Sequence, residues 1–401
     1  MKTVLFAWEF GANLGHASVM AEIARGLADG VRVVVAGRDL ANTRTGFAGV
    51  DHTLIQAPIW VPHRHFGNES GQGSYVDVLV LAGFADPTKL DAGIAAWEGV
   101  LDLVRPDVIV ADHSPGLLLA RLGRRIPAIM VGTGYTMPPL DRDSLPPLKA
   151  ERAPLMPEAR LARNIATVLK TRDVAPAESL PAWFRTEARV VFSYPELDPY
   201  RAFRRETLHL PPEPLPVFVP PPVQPHLFVY LGEEVPNLDV LVQTLVEMDL
   251  PITAYFRGNV GPLPDFIEIR GHVVHRTPPK LASVLTGVSH VLSAGGTYTS
   301  HAALAAGRPH LVLPLHNETQ LNYGMIDKLG VAHELPRTAN PAIIRRAIEA
   351  FLTDHALIRN ARGWSSIVAG REQPSGAEAA LAAIRTHLDS ASAGAPNQNR
   401  A

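Results

Sequence analysis

Residues 293–309 read SAGGTYTSHAALAAGRP. Two glycines and a hydroxyl-rich turn stand directly ahead of an alanine-rich run. An apolar stretch, Val288 to Leu292, leads in, and HLVLPL follows at 310–315. The pattern predicts strand, glycine turn, helix and strand, which is one unit of a parallel α/β sheet. In such sheets ligands bind beyond the carboxyl ends of the strands, where loops run into helices. A helix start offers unpaired N–H groups and the positive end of the peptide dipoles. Gly295 and Gly296 let the backbone approach an anion closely, and Thr297, Thr299 and Ser300 add hydroxyl donors. A phosphate or diphosphate suits that chemistry. A tight turn closed by a Ser/Thr cap would use the same residues and bind nothing.

The same grammar runs along the chain. KTVLFAW, VRVVVAG, VIVAD (108–112) and AIMVGTG are predicted strands in the first half. Met20, Ile23, Ala24 and Leu27 recur between them at helical spacing. Residues 206–225 are dense in proline and predict a stiff linker. The alternation then restarts with HLFVYLG, ITAYFRG, VSHVLSA and HLVLPL. The expected organisation is an N-terminal domain over 1–205, a linker over 206–226 and a C-terminal domain over 227–388. A small, polar, disordered tail is expected over 389–401.

Composition narrows the function. The 401 residues are 46% hydrophobic and 19% charged, enough apolar material for two cores. A net charge of −2 gives no electrostatic case for nucleic acid or an anionic membrane. Arginines cluster at Arg121, Arg124 and Arg125 and at Arg201, Arg204 and Arg205, and read as solvated faces. The absence of cysteine removes disulfides, thiolate zinc sites and thiol nucleophiles, and fits a reducing cytoplasm. No transmembrane stretch is expected. MKTVLFAWEF, with Glu9 early, reads as a strand rather than a signal peptide. Peripheral membrane contact stays open.

The N-terminal WEFGANLGHASVMAEIA is again strand, glycine loop and helix. It is not G-x-G-x-x-G, although Asp39 stands where a dinucleotide site would want its acid. His16 falls at the first turn of the helix. It is either structural or, at that position above a sheet, a general base. A base needs an orienting partner, and Asp112 at the end of VIVAD is the candidate; a helix N-cap is its alternative. DRD (141–143) looks like a surface turn rather than a metal motif, and HRH (63–65) lacks a third ligand, so no metal is expected. The aromatic, glycine-rich connection at 57–85 suits an adaptable apolar pocket, with Trp8, Trp60 and Phe66 as acceptor-binding candidates.

Taken together, these motifs resemble the UDP-glycosyltransferases of the GT-B fold, the superfamily of UDP-glucuronosyltransferases and macrolide glycosyltransferases. The likeness is strongest over 288–335, in GGTYTSHAALAAGRPHLVLPLHNETQLNYGMIDKLGVA. It implies two Rossmann-like domains facing across a cleft, with a C-terminal helix packed back on the first. It also implies a donor diphosphate at Gly295–Ser300, a catalytic base at His16 and an activating acid at Asp112. Several positions depart from the family pattern. Ala294 replaces a phosphate-contacting His, Tyr298 a frequent Gly, and Ala302 a ribose-binding Glu. Arg276 falls near the family's Trp over the base. Glu318-Thr319, with Gln320 next, stands for the sugar-binding Asp-Gln pair. The function so implied is inverting, metal-independent transfer of a hexose from a nucleotide-diphosphate sugar, UDP by default, to a hydroxyl of a small molecule or lipid. No cofactor is implied beyond that co-substrate. An epimerase or hydrolase of the same fold, or a silent nucleotide-sugar binder, are the alternatives.

Overall fold

The computed structural model describes residues 1–11, 14–61 and 73–393. Two compact units emerge, Met1–Glu213 with the segment from Gln373 onward, and Pro214–Glu372.

The first unit holds β1 (Lys2–Trp8), β2 (Val31–Gly37), β3 (Thr53–Gln56), β4 (Val108–Asp112), β5 (Ala128–Thr133), β6 (Ala188–Phe192) and β7 (Leu208–His209). They pair in the order β3-β2-β1-β4-β5-β6-β7, and every pairing is parallel. The chain runs outward from β1 to β3, returns to β4 beside β1, and runs outward again. The switch point lies between β1 and β4, where Trp8 stands level with Asp112. Both strands are apolar because helices cover both faces of the sheet. Val4, Phe6, Trp8, Val108 and Val110 share one core with Met20 and Ile23.

The second unit repeats the plan. Its strands are β8 (Leu227–Gly232), β9 (Ile252–Arg257), β10 (Val273–His275), β11 (His290–Ser293), β12 (His310–Val312) and β13 (Ala332–Glu334). Their order is β10-β9-β8-β11-β12-β13, again all parallel. The switch point falls between β8 and β11, and the glycine pair begins two residues after Ser293 closes β11.

Four expectations need correction. The proline-rich stretch is not wholly a linker: β7 lies inside it and pairs with β6, and Leu210 N donates to Pro374 O at 2.9 Å. The domain bounds put residues up to 388 in the second domain and the rest in the tail, whereas one helix runs Gly376–Ala393; as the family resemblance implied, its residues Ala380, Ile384 and Leu388 enter the first core, because its apolar stripe fits beside Met20 and Ile23. The 57–85 connection contains the helix Tyr75–Leu79, whose start is held by Asp77 accepting from Gly73 N at 2.7 Å. Finally, the arginine clusters are not solvated throughout. Arg121 donates to the carbonyls of Ile126 and Arg185, and the Arg204 side chain is only 2% exposed, its charge met by Asp198 and Glu206.

Candidate active site

His16 is the third residue of the helix Leu14–Arg25, the next helix along the chain after β1. Asp112 is the last residue of β4, and it is buried. His16 Nδ1 lies 2.8 Å from Asp112 Oδ2. A carboxylate only accepts, so this contact puts the imidazole proton on Nδ1 and leaves the lone pair at Nε2. The dyad is therefore oriented for proton abstraction through Nε2. Gly11 protects that atom: its φ is +94°, and a Cβ there would come 2.6 Å from Nε2.

Trp8 does not reach an acceptor from where it stands. It is fully buried and stacks on His16 with ring centroids 5.2 Å apart, so it backs the imidazole instead. Trp60 is half-buried; it stacks on Phe84 at 4.5 Å and donates to Glu9 Oε2 at 3.2 Å. Phe66 and the HRH histidines lie outside the described residues. Asp39 accepts from Asn42 N at 3.0 Å as a helix N-cap, while Asp141 and Asp143 are exposed on a bend.

Glu9, one residue past β1, is a buried carboxyl surrounded by donors. Trp60, Trp97 and the Gly116 N–H all donate to it. Burial pushes its pKa from 4.5 up to about 7, with the N–H donors of Gly116, Trp97 and Trp60 offsetting part of that cost. Between pH 4.5 and about 7 the folded protein therefore binds more protons than the unfolded chain. The stabilising share of this carboxyl is complete below pH 4.5 and is lost as the pH rises through about 7. That interval corresponds to about 3 kcal/mol. Melting curves across it should show wild type losing stability as pH rises and Glu9→Gln losing markedly less. Parallel curves would reject this account.

In the second unit the helix Thr297–Ala306 starts at the switch point with Gly296 as its N-cap, so no cap side chain covers its first N–H groups. The two glycines do different work. Gly295 has φ +80°, and a Cβ there would meet Val312 Cγ1 at 2.6 Å, so folding requires it. Gly296 has φ −59°, and a Cβ there would meet nothing within 4 Å. Its missing side chain keeps open the space in front of the helix. Gly296→Val should therefore melt close to wild type yet lose nucleotide-sugar binding, read by calorimetry. Unchanged binding of every nucleotide sugar tried would count against this site.

The remaining candidates divide. Thr297 Oγ1 donates to Glu318 Oε1 at 2.8 Å, which joins the two motifs. Thr299 and Ser300 are buried, and Ser300 Oγ has no hydrogen-bond partner among the described residues. Gln320 is half-buried one turn into the helix Asn317–Lys328, whereas Thr319 is spent within its own turn, accepting from Leu315 N and His316 N. Arg276 ends up just past β10, about half exposed, pairing with Asp265 and Glu268. Sequence reading did not single out Asn322. Its amide donates to Gly295 O at 2.9 Å and to Thr297 Oγ1 at 3.0 Å, bracing the glycine turn. Ser293 Oγ supports the same turn, accepting from Gly295 N and contacting His310 Nε2 at 2.7 Å. Burial drives His310 down to about 3, so that ring is neutral.

No protein-family model and no curated protein matches the chain. Solved structures do. The calicheamicin glycosyltransferase CalG4 is 19% identical with a TM-score of 0.64, covering 97% of this chain and 98% of its own. The spinosyn rhamnosyltransferase SpnG, complexed with spinosyn aglycone, is 15% identical at a TM-score of 0.62, covering 97% and 100%. The glycosyltransferase VinC, in complex with dTDP, is 16% identical at 0.60, covering 96% and 100%. The fold of this chain is the two-domain GT-B fold of these glycosyltransferases.

Proposed function

We propose that the protein is an inverting glycosyltransferase that moves a hexose from a nucleoside-diphosphate sugar to a hydroxyl of a small-molecule or lipid acceptor. The observation that carries the reading is the His16–Asp112 pair at the switch point of the first sheet. The uncovered helix start at the switch point of the second sheet supports it independently.

The chemistry follows from what each group can do. An alcohol is a poor nucleophile while it keeps its proton. His16 Nε2 takes that proton as the oxygen attacks the anomeric carbon, and Asp112 stabilises the imidazolium that forms. The bond from the anomeric carbon to the diphosphate breaks on the opposite face, so the configuration inverts. The leaving diphosphate gains charge, which the N–H groups at Thr297–Thr299 and the helix dipole stabilise. Because that field comes from the backbone, transfer is expected to survive EDTA. The fold neighbours carry dTDP or an aglycone, which supports donor and acceptor classes of this kind and makes dTDP-sugars candidates beside UDP-sugars.

The test is to incubate the protein with UDP- and dTDP-hexoses and a panel of alcohols and phenols, with mass spectrometry and NMR of the product. A glycosylated acceptor of inverted configuration is expected. Donor consumption without an acceptor product would point to the hydrolase or epimerase instead. Failure to consume any donor would reject the reading.

A further inference from the structure

Asp112 is held from one side only. Its Oδ2 meets His16, but Oδ1 is buried and has no hydrogen-bond partner among the described residues. With no second donor to aim the carboxylate, its direction depends on the backbone that carries it. That backbone changes course at once. His113 adopts φ +45°, a left-handed conformation uncommon for a residue with a Cβ, and Pro115 then opens a short helix, Pro115–Ala120. Ser114 at the N-cap gives that helix no side-chain cap; its hydroxyl donates instead to Asp112 O at 3.0 Å.

Residues 9 and 10, just past β1, supply what this turn lacks. Phe10 N donates to His113 O at 3.1 Å. Glu9 Oε1 accepts from Gly116 N, and the Leu117 N–H also acts on the carboxylate. These N–H groups open the helix, so an acceptor from a remote strand end takes the place of the missing cap. The two residues fit each other: a Cβ on Gly116 would stand 2.9 Å from Glu9 Oε2, so only glycine admits the carboxylate. Trp97 and Trp60 donate to Oε2 and fix the side chain at its other oxygen. No cation pairs with Glu9 among the described residues, and a buried carboxyl is a costly cap when a serine hydroxyl can do the same without charge. Trp8, next to Glu9, stacks on His16 and donates through Nε1 to Phe10 O. Residues 8–10 thus support both halves of the dyad.

We propose that Glu9 is a positioning residue for the proton transfer: by capping the helix at Gly116 it fixes the turn that follows Asp112, and through that turn it aims the Asp112 carboxylate at His16 Nδ1. This assignment rests on the glycosyl-transfer reading above for the step it serves.

The test compares the full-length wild type with Glu9→Met, Glu9→Asp and Trp97→Phe. Methionine keeps the length of the side chain but offers Gly116 N only a weak acceptor, and aspartate keeps the carboxylate one methylene short of it. Trp97→Phe removes a different donor to Glu9 and leaves the Gly116 contact in place, so it controls for lost stability. Heteronuclear NMR of protein labelled at its histidine nitrogens reads the tautomer of neutral His16, whose signals are those missing from His16→Ala. Wild type and Trp97→Phe should carry the proton on Nδ1, and both Glu9 variants should show a mixture of tautomers. Transfer supplies the second reading. Toward an aliphatic alcohol, kcat of the Glu9 variants should fall about tenfold, short of the loss in His16→Ala, with the donor KM unchanged. Toward para-nitrophenolate, which needs no base, it should stay within about twofold of wild type. A fold defect would lower both. A mixed tautomer in wild type, an unchanged tautomer in the Glu9 variants, an equal change in Trp97→Phe, or equal losses on alcohol and phenolate would overturn the proposal. The expected tautomer change with no transfer by wild type from any donor would support the positioning role and overturn the transfer reading instead.

Discussion

Replacing His16 with alanine is expected to slow sugar transfer to an aliphatic alcohol by at least about 10²-fold, the low end for loss of a general base. Donor affinity should stay nearly intact, because the helix start proposed for the diphosphate belongs to the other unit. Asp112→Asn should be damaging for a different reason. An amide in place of the carboxylate can donate to Nδ1, which favours the tautomer with its proton on Nε2, the wrong atom for a base. The double variant should be little worse than His16→Ala alone, since the pair acts as a unit across a 2.8 Å contact. Turnover and donor binding for the three variants on one acceptor decide the matter. The acceptor must be an aliphatic alcohol, because a phenol is already partly ionised and would mask the loss. Transfer by His16→Ala at the wild-type rate would show that the mechanism is wrong.

Arg204→Ala is expected to destabilise the first unit by about 3–5 kcal/mol, the range for removing one partner of a buried ion pair. The Arg204 and Asp198 side chains are 2% and 0% exposed and meet at 2.6 Å. Arg204 also pairs with Glu206 at 2.7 Å and donates to Met137 O at 2.9 Å, in the turn that follows β5. Losing it would leave the Asp198 charge buried without compensation and free a turn next to the strand that neighbours β4. Removing both partners should cost less than the sum of the two single changes, because Asp198→Ala also removes the stranded charge. Chemical denaturation of the three variants measures this. A loss under about 1 kcal/mol for Arg204→Ala would place the network in the class of weak surface pairs.

The central strands and the glycine turn were legible because their causes are local. A strand covered on both faces must be a continuous apolar run, as in VRVVVAG and VIVAD, and a glycine pair before an alanine-rich stretch marks a helix start. His16 and Asp112 were legible for the same reason. Asp112 ends an apolar strand and His16 lies in the first turn of the helix that follows another, and loops at strand ends in one parallel sheet share one edge. The edge strands β3, β7 and β10 carry no such mark, since a short half-exposed strand needs no apolar run.

What only the tertiary structure decided is which polar groups lose water, and beside whom. Arg204 and Arg205 are adjacent and alike in sequence, yet one is buried against two carboxylates and the other is exposed. His113 looks like any loop histidine until Phe10 and His16 from one distant segment and Tyr75 from another close around it. Asn322 becomes a brace for the glycine turn only because its helix packs beside residues 27 and 25 positions earlier. Apolar periodicity records the burial of an element's face and can be read along the chain. Desolvation of a single polar group depends on neighbours from remote segments, and no local pattern records them.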